Sequence, residues 1–326
     1  MKEEILHELM TTEEYVSGEW LSEKLGVSRT AIWKAIHKLK AEGYEIEAVP
    51  NRGYHLLTET ADLVESAIRL HLNKTSRFTT IKVYESVDST NSEAKRMKVN
   101  KSMHEGLIIA KEQTAGKGRR GKSWASVKDG GIWASLVLVP DIPPMIASML
   151  TLIAGLSAAM AIEEKTGLDV GIKWPNDLVI SGKKVCGILT EMSTEADYIH
   201  HVVVGIGINV NQTMFEEHLK DVATSLRIEL GREVNRVEIL SAFLNHFEVL
   251  YEKFLKIMDL SFMIERYNHI CVNVDQELRI IEHGNIKQVM GIKVTDQGGL
   301  MARNKEGNTE IIYAGDVSIR GINGYV

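Results

Sequence analysis

Residues 116–124 read Gly-Lys-Gly-Arg-Arg-Gly-Lys-Ser-Trp, and no other stretch of the 326-residue chain packs so much glycine and fixed positive charge into so short a space. Glycine permits positive φ and close backbone approach, which leaves main-chain N–H groups free to meet phosphate or carboxylate oxygens. Arg119 and Arg120 add planar, forked donors suited to the same oxygens. The chemistry on offer is the gripping of an anion. Further along, residues 174–177, Trp-Pro-Asn-Asp, make a rigid turn that carries a carboxylate. Gly116, Gly118 and Gly121 have the spacing of a dinucleotide fingerprint, but that motif needs a helix directly after it and an acidic ribose ligand about twenty positions on. Residues 107–110 supply the preceding strand, whereas residues 122–126 and then Asp129-Gly130-Gly131 are turn chemistry. A Walker A loop fails too, because no Gly-Lys-Ser/Thr closes the required glycine spacing ahead of a helix. Some other nucleotide or acid binder is left.

The elements that must position this loop alternate between strands and helices. Residues 81–87 read as a strand, followed by Asp88-Ser89-Thr90-Asn91, where Thr90 with Glu93 makes a capping box for the next helix. Capping by itself would account for Ser89, Thr90 and Asn91. Residues 132–139 are strand-like, 145–165 form a long helix rich in small residues, and the sheet resumes at 171–173 and 178–180. Residues 184–189 and 202–209 are apolar enough to be central strands, with Gly187, Gly205 and Gly207 marking places of close approach to the backbone. Helical periodicity then runs from 237 to 254. From Cys271 onward, short strands around glycine turns at Gly284-Asn285, residues 297–299 and Gly307-Asn308 suggest a small closed barrel.

The first sixty residues form a unit of their own. Leu21 and Leu25 share one face of a short helix, Gly26-Val27 makes a tight turn, and Ser28 caps a second helix in which Ile32, Ala35, Ile36 and Leu39 recur at helical spacing. Residues 44–49 and 54–57 flank Pro50-Asn51-Arg52-Gly53 as a hairpin, so the whole reads as a winged helix-turn-helix. The outer face of the second helix carries Arg29, Thr30, Trp33, Lys34, His37 and Lys38, with no acid from Ser28 through Lys40. With Ser28 itself and Arg52 in the wing, this face suits a DNA groove.

Composition bounds the rest. A net charge of -6 argues against wholesale coating of nucleic acid, so any DNA contact is local. Cys186 and Cys271 are the only cysteines and neither has metal-ligand spacing, which fits a reducing cytoplasm. The start lacks the layout of a signal peptide, and no apolar run is read as approaching membrane length. The expected class is α+β. Its parts are a winged helix-turn-helix over 1–60, a linker helix over 61–72, a mixed-sheet α/β domain over 73–270 and a small β-barrel over 271–326.

The ordered set of residues 116–121 followed by Trp124, Lys173-Trp-Pro-Asn-Asp177, Lys184-Val-Cys-Gly-Ile-Leu189 and Gly205-Ile-Gly-Ile-Asn-Val-Asn211 resembles the motif set of biotin protein ligases. With the winged helix in front, the chain is similar to the bifunctional bacterial ligases that double as biotin operon repressors, over nearly its whole length. The resemblance implies a ligase fold capped by an SH3-like barrel. It also implies activation of biotin with ATP to biotinyl-5'-adenylate, then transfer to a lysine of a carboxyl carrier protein. ATP and magnesium would serve as co-substrate and metal, with no tightly bound prosthetic group. Ser89, Thr90, Asn91, Gln113, Lys117, Gly118, Arg119 and Lys184 would line the biotin site. Arg119, Arg120, Trp124, Lys173, Asn176 and Asn209 would meet ATP or the adenylate, with Lys184, Arg119 and Asp177 catalytic and Asp177 the magnesium ligand. The adenylate-bound form would be a homodimer on operator DNA, with no membrane partner. One departure is that Lys117 and Lys122 stand where family loops often carry arginine, which keeps the charge but loses the fork. The alternatives are a ligand-sensing transcription factor with a non-catalytic ligase-like domain, and a lipoate ligase.

Overall fold

The computed structural model describes residues 1–12, 14–97, 105–195, 198–282, 285–315, 317–321 and 325. Gly284 of the expected Gly284-Asn285 turn lies outside them. The chain divides into two units, Met1–Lys74 with Asn235–Ser241, and Thr75–Val234 with Ala242–Val326.

In the first unit, α1 (Lys2–Thr11), α2 (Gly18–Leu25) and α3 (Arg29–Ala41) precede the hairpin β1 (Glu45–Val49) and β2 (Gly53–Thr58), and α4 (Glu65–His71) follows. Ser17 Oγ accepts the Glu19 and Trp20 amides to start α2, and Gly26, at φ 63°, ends it in the left-handed conformation that glycine adopts without steric cost. Ser28 Oγ then accepts the Ala31 amide at 3.2 Å to start α3. Leu21, Ile32, Ala35, Ile36 and Leu39 are buried together with Ile5, Leu6 and Leu9 of α1. The helical stretch expected to link two domains is α4, which buries Ser66, Ala67 and Ile68 within this unit. Its Ser66 hydroxyl is 3.5 Å from that of the buried Tyr44.

The second unit is built on β3 (Thr80–Tyr84), β4 (Gly106–Ala110), β5 (Gly131–Leu138), β6 (Gly171–Lys173), β7 (Asp177–Ile180), β8 (Lys183–Glu195) and β9 (Tyr198–Asn209). They form one seven-stranded sheet in the order β3-β4-β5-β9-β8-β7-β6. Only the β3–β4 pair is parallel, and the connection between these strands runs through α5 (Thr90–Arg96), as a parallel pair requires. Every residue of β5 is buried, which explains a run that is apolar but for Ser135. α6 (Met149–Thr166) packs against β6 to β9. It corrects the expectation that no apolar run approaches membrane length. Residues 144–166 reach spanning length with a mean hydropathy of 2.0, but 78% of that window is buried inside the protein. A helix apolar all round is what a buried core position demands.

α7 (Leu226–Leu230), α8 (Arg236–Ile257) and α9 (Ile264–Ile270) complete the helices of the described residues. The last strands, β10 (Glu277–Glu282), β11 (Asn285–Val294), β12 (Leu300–Asn304), β13 (Thr309–Ile312) and β14 (Val317–Gly321), form an antiparallel sheet in the order β13-β12-β11-β10-β14. Trp174 fastens this sheet to the larger one. Its backbone amide donates to Asn273 Oδ1 at 2.6 Å and its indole to the Gly298 carbonyl at 3.0 Å.

Candidate active site

The site grows from the face of β8 and β9 where three glycines cluster. Gly187 pairs with Gly207, and Leu189 with Gly205, so Gly205 and Gly207 lie on one face two residues apart. Their missing side chains are filled from outside the sheet. A Cβ on Gly205 would collide with the Asn91 amide, and one on Gly207 would stand 2.5 Å from Trp124 Nε1. The glycines therefore let α5 and the residue 116–124 loop press onto the strands.

Ser89, not Thr90, caps α5, with its hydroxyl accepting the Ser92 amide at 3.5 Å. The expected Thr90–Glu93 capping box does not form, since Glu93 instead takes the Tyr84 hydroxyl at 3.1 Å and Arg96 at 3.0 Å. One residue of shift turns Thr90 and Asn91 inward, where both are buried. Gln113 Oε1 accepts the Thr90 amide at 2.8 Å, while its Nε2 donates to Ser126 at 2.7 Å. Asn91 Nδ2 donates to Glu191 at 2.8 Å and to the Leu189 carbonyl, and Ser135 Oγ lies 2.6 Å from Asn91 Oδ1. Glu191 is pulled both ways: burial raises its pKa, but the Lys95 ammonium and the Asn91 amide outweigh that and lower it overall. Ser126, Ser135 and Glu191 escaped the sequence reading. The one hint was a serine inside the otherwise apolar run of β5.

The glycine-arginine loop is a tight reversal. Gly118 donates to the Lys122 carbonyl at 2.7 Å and Trp124 to the Gly116 carbonyl at 2.9 Å, with Arg120 at φ 57° and Gly121 at φ 72° turning the corner. Lys117 Nζ donates to Ser92 Oγ at 2.7 Å, which ties the loop to α5. Arg119 reaches the other way, to Asn176 Oδ1 at 2.8 Å and to the Ala314 and Gly315 carbonyls at 2.6 and 3.0 Å. Among the described residues, buried Trp124 Nε1 has no hydrogen-bond partner.

The turn at 173–177 converges on the same place. Asp177 Oδ1 pairs with Lys184 Nζ at 2.6 Å and accepts Asn176 Nδ2 at 2.9 Å. Lys184 Nζ also lies 5.0 Å from the Trp124 ring centroid. Lys173 is buried, and that burial, with Arg320, Lys184 and Lys122 nearby, lowers its pKa from 10.5 to about 8 against the opposing pull of Asp177. Asn209 spends its amide N–H on the Thr224 carbonyl at 3.0 Å.

Two cavities meet here. The smaller is walled by Ser89, Thr90, Asn91, Gln113, Lys117 and the glycine track. The larger holds Arg120, Lys173, Asp177, Asn209 and part of β14. Gly118, Arg119, Trp124, Asn176 and Lys184 line both. An acid lying in the first with its carboxylate toward Lys184 and a polyphosphate lying in the second would touch end to end. All of the expected ligand-site residues of this unit thus fall on one of two joined chambers.

The expected DNA-contacting residues all belong to the first unit. Ser28, Arg29, Thr30, Trp33, Lys34, His37, Lys38 and Arg52 are all exposed. Arg29 is paired with Glu19, Trp33 stacks edge-on with His37 at 4.1 Å, and Arg52 covers Tyr15 at 4.2 Å.

Residues 83–209 match the Biotin/lipoate A/B protein ligase family and residues 2–55 match an HTH domain. The chain is 38% identical over 311 residues to the bifunctional ligase/repressor BirA of Bacillus subtilis (strain 168), covering 94% of each chain. It is 27% identical over 313 residues to BirA of Escherichia coli (strain K12), covering 96% of this chain and 95% of that one. Among solved structures, the biotin protein ligase from Aquifex aeolicus in complex with biotin and ATP superposes with a TM-score of 0.66. That match has 30% identity and covers 75% of this chain and 100% of the other.

Proposed function

The chain belongs to the family of bifunctional biotin ligase/repressors, and from that premise we propose how its two chambers carry out the reaction. It is an ATP-dependent biotin ligase with a DNA-binding repressor arm. The observation that carries the mechanism is the wall of Gly118, Arg119, Trp124, Asn176 and Lys184 common to both cavities.

Biotin lies in the smaller chamber, its ureido ring against the polar end formed by Ser89, Thr90 and Gln113. Asn91 shapes that end, its amide already held by Glu191 and Ser135. ATP lies in the larger chamber. A biotin carboxylate oxygen attacks the α-phosphate, a bond to phosphorus forms, and pyrophosphate leaves with the electron pair of the broken bond. Both reactants are anionic, so cations fixed at the junction must offset their repulsion and the charge that develops. Lys184 and Arg119 are those cations, and Lys173 and Arg120 face the polyphosphate. Magnesium, when bound, supplies further charge offset, and Asp177 is the residue that would hold it. Among the described residues no group of three or more histidine, cysteine or carboxylate side chains gathers, so most of its ligands would be phosphate and water oxygens. The unpartnered Trp124 N–H is left for the ligand, and the ring shields the junction from water. In the second step a carrier-protein lysine attacks the acyl carbon and AMP leaves.

The adenylate-bound chain acts as a dimer on operator DNA, with α3 in the major groove and Arg52 of the wing beside it. We place the protein in the cytoplasm, supported by two buried thiols that are not paired.

The test is to incubate the protein with biotin, ATP and magnesium, then measure bound adenylate, pyrophosphate release and sedimentation in one sample. Adenylate with dimer formation is expected. Binding of biotin without pyrophosphate release identifies a sensor instead, and preference for lipoate in a parallel sample identifies a lipoate ligase.

A further inference from the structure

Tyr325 belongs to none of the motifs, yet it enters the larger cavity. Its ring centroid is 3.4 Å from Lys173 Nζ, and its hydroxyl donates to Asp177 Oδ2 at 2.5 Å. Tyr325, Lys173 and Asp177 all line that cavity, with Val317, Ser318, Ile319 and Arg320 of β14 continuing the wall.

We propose that Tyr325 is a positioning residue for ATP, holding Lys173 and Asp177 in the arrangement that receives the polyphosphate. The inference rests on reading the larger cavity as the nucleotide site. Lys173 is a flexible ammonium that is 5% exposed, and burial and the nearby cations disfavour its charge. The face of an aromatic ring offers such a group negative charge density without a competing counter-ion. A carboxylate in the same place would pair with Lys173 and repel the phosphates. Tyrosine therefore stabilises the cation while leaving it available. The hydroxyl does a second job. Asp177 Oδ1 is already shared between Lys184 and Asn176, so a donor on Oδ2 fixes the plane of the carboxylate and, through it, the place of Lys184 at the junction. The C-terminal segment reaches the site a second time between β13 and β14, where Arg119 meets the Ala314 and Gly315 carbonyls. It is thus a structural part of the nucleotide chamber.

Biotin-dependent pyrophosphate exchange by wild type, Tyr325→Phe and Tyr325→Ala, with ATP and biotin varied separately, tests this. The alanine variant is expected to raise KM for ATP about fivefold or more, with KM for biotin within about twofold of wild type. The phenylalanine variant keeps the ring and should bring KM for ATP back to within about twofold, while kcat stays lower by at least about twofold because Asp177 is free to turn. An alanine variant with unchanged or lowered KM for ATP overturns the proposal. So does a parallel rise for both substrates, which would mark a merely structural residue. If the alanine variant does not fold, the phenylalanine variant decides alone, and an unchanged kcat overturns it. A wild-type protein that binds no ATP sinks the nucleotide-site reading itself, a distinct result.

Discussion

Raising the pH from 7 to 9 should selectively weaken ATP binding, because Lys173 titrates inside that window. Burial, and then Arg320, Lys184 and Lys122, bring its pKa from 10.5 to about 8, while Asp177 pulls the other way. At pH 7 roughly nine tenths of the free protein carries the Lys173 charge; at pH 9 roughly one tenth does. If the polyphosphate binds only the protonated form, affinity falls about tenfold, or about 1.4 kcal/mol, over that range. The phosphate's own second ionisation, near 6, lies below the window. The assay is calorimetric titration with ATP and magnesium at pH 7, 8 and 9, for wild type and Lys173→Met. Wild type should show the decline, and the variant should bind weakly at every pH with a flat profile. A flat wild-type affinity, or a decline in Lys173→Met as steep as in wild type, would show that Lys173 does not set the pH dependence. Stability should move the other way. The native state releases the Lys173 proton at lower pH than the unfolded chain, so between about pH 8 and 10.5 the unfolded state holds more protons and stability rises with pH. The gap corresponds to at most about 3 kcal/mol. Lys173→Met should therefore raise Tm near neutral pH and remove this slope.

Three further outcomes are expected. Lys184→Ala should cut biotin-dependent pyrophosphate exchange by about 10²–10³-fold with circular dichroism unchanged, and normal exchange would remove Lys184 from the chemistry. Arg119→Gly should speed release of labelled adenylate about tenfold or more through loss of charge-assisted hydrogen bonds, and equally slow release by variant and wild type would refute that role. Gly205→Ala should weaken biotin by about 10–100-fold, since the new Cβ collides with the Asn91 amide. Biotin titration of a folded variant with wild-type affinity would contradict that account.

Much of the site was legible because its residues are contiguous and chemically distinctive. Residues 116–124 declare anion binding by type and spacing alone, residues 174–177 show only a rigid turn with a carboxylate, and the glycines at 187, 205 and 207 mark close approach without saying to what. The helix periods of α2 and α3, the turn at Gly26 and the cap at Ser28 were legible for the same reason, since Gly26 and Ser28 act on amides and carbonyls within a few residues. The capping box at Thr90 misled because Ser89 and Thr90 are equally good caps locally. The choice between them was made by Gln113 and Ser135, which bond Thr90 from 23 and 45 residues away.

What the chain order alone determined was therefore the set of local devices: which loop is built to grip an anion, where the tight turns fall and which strands are apolar enough to be central. Tertiary structure decided the long-range partnerships. Glu191 at Asn91, Ala314 and Gly315 at Arg119, and Tyr325 at Asp177 are side-chain choices made across 100, 195, 196 and 148 positions. Nothing in their local sequence marks them, because a hydrogen bond depends on where folding brings two groups. The packing of sheet against sheet, fastened at Trp174, sets that meeting.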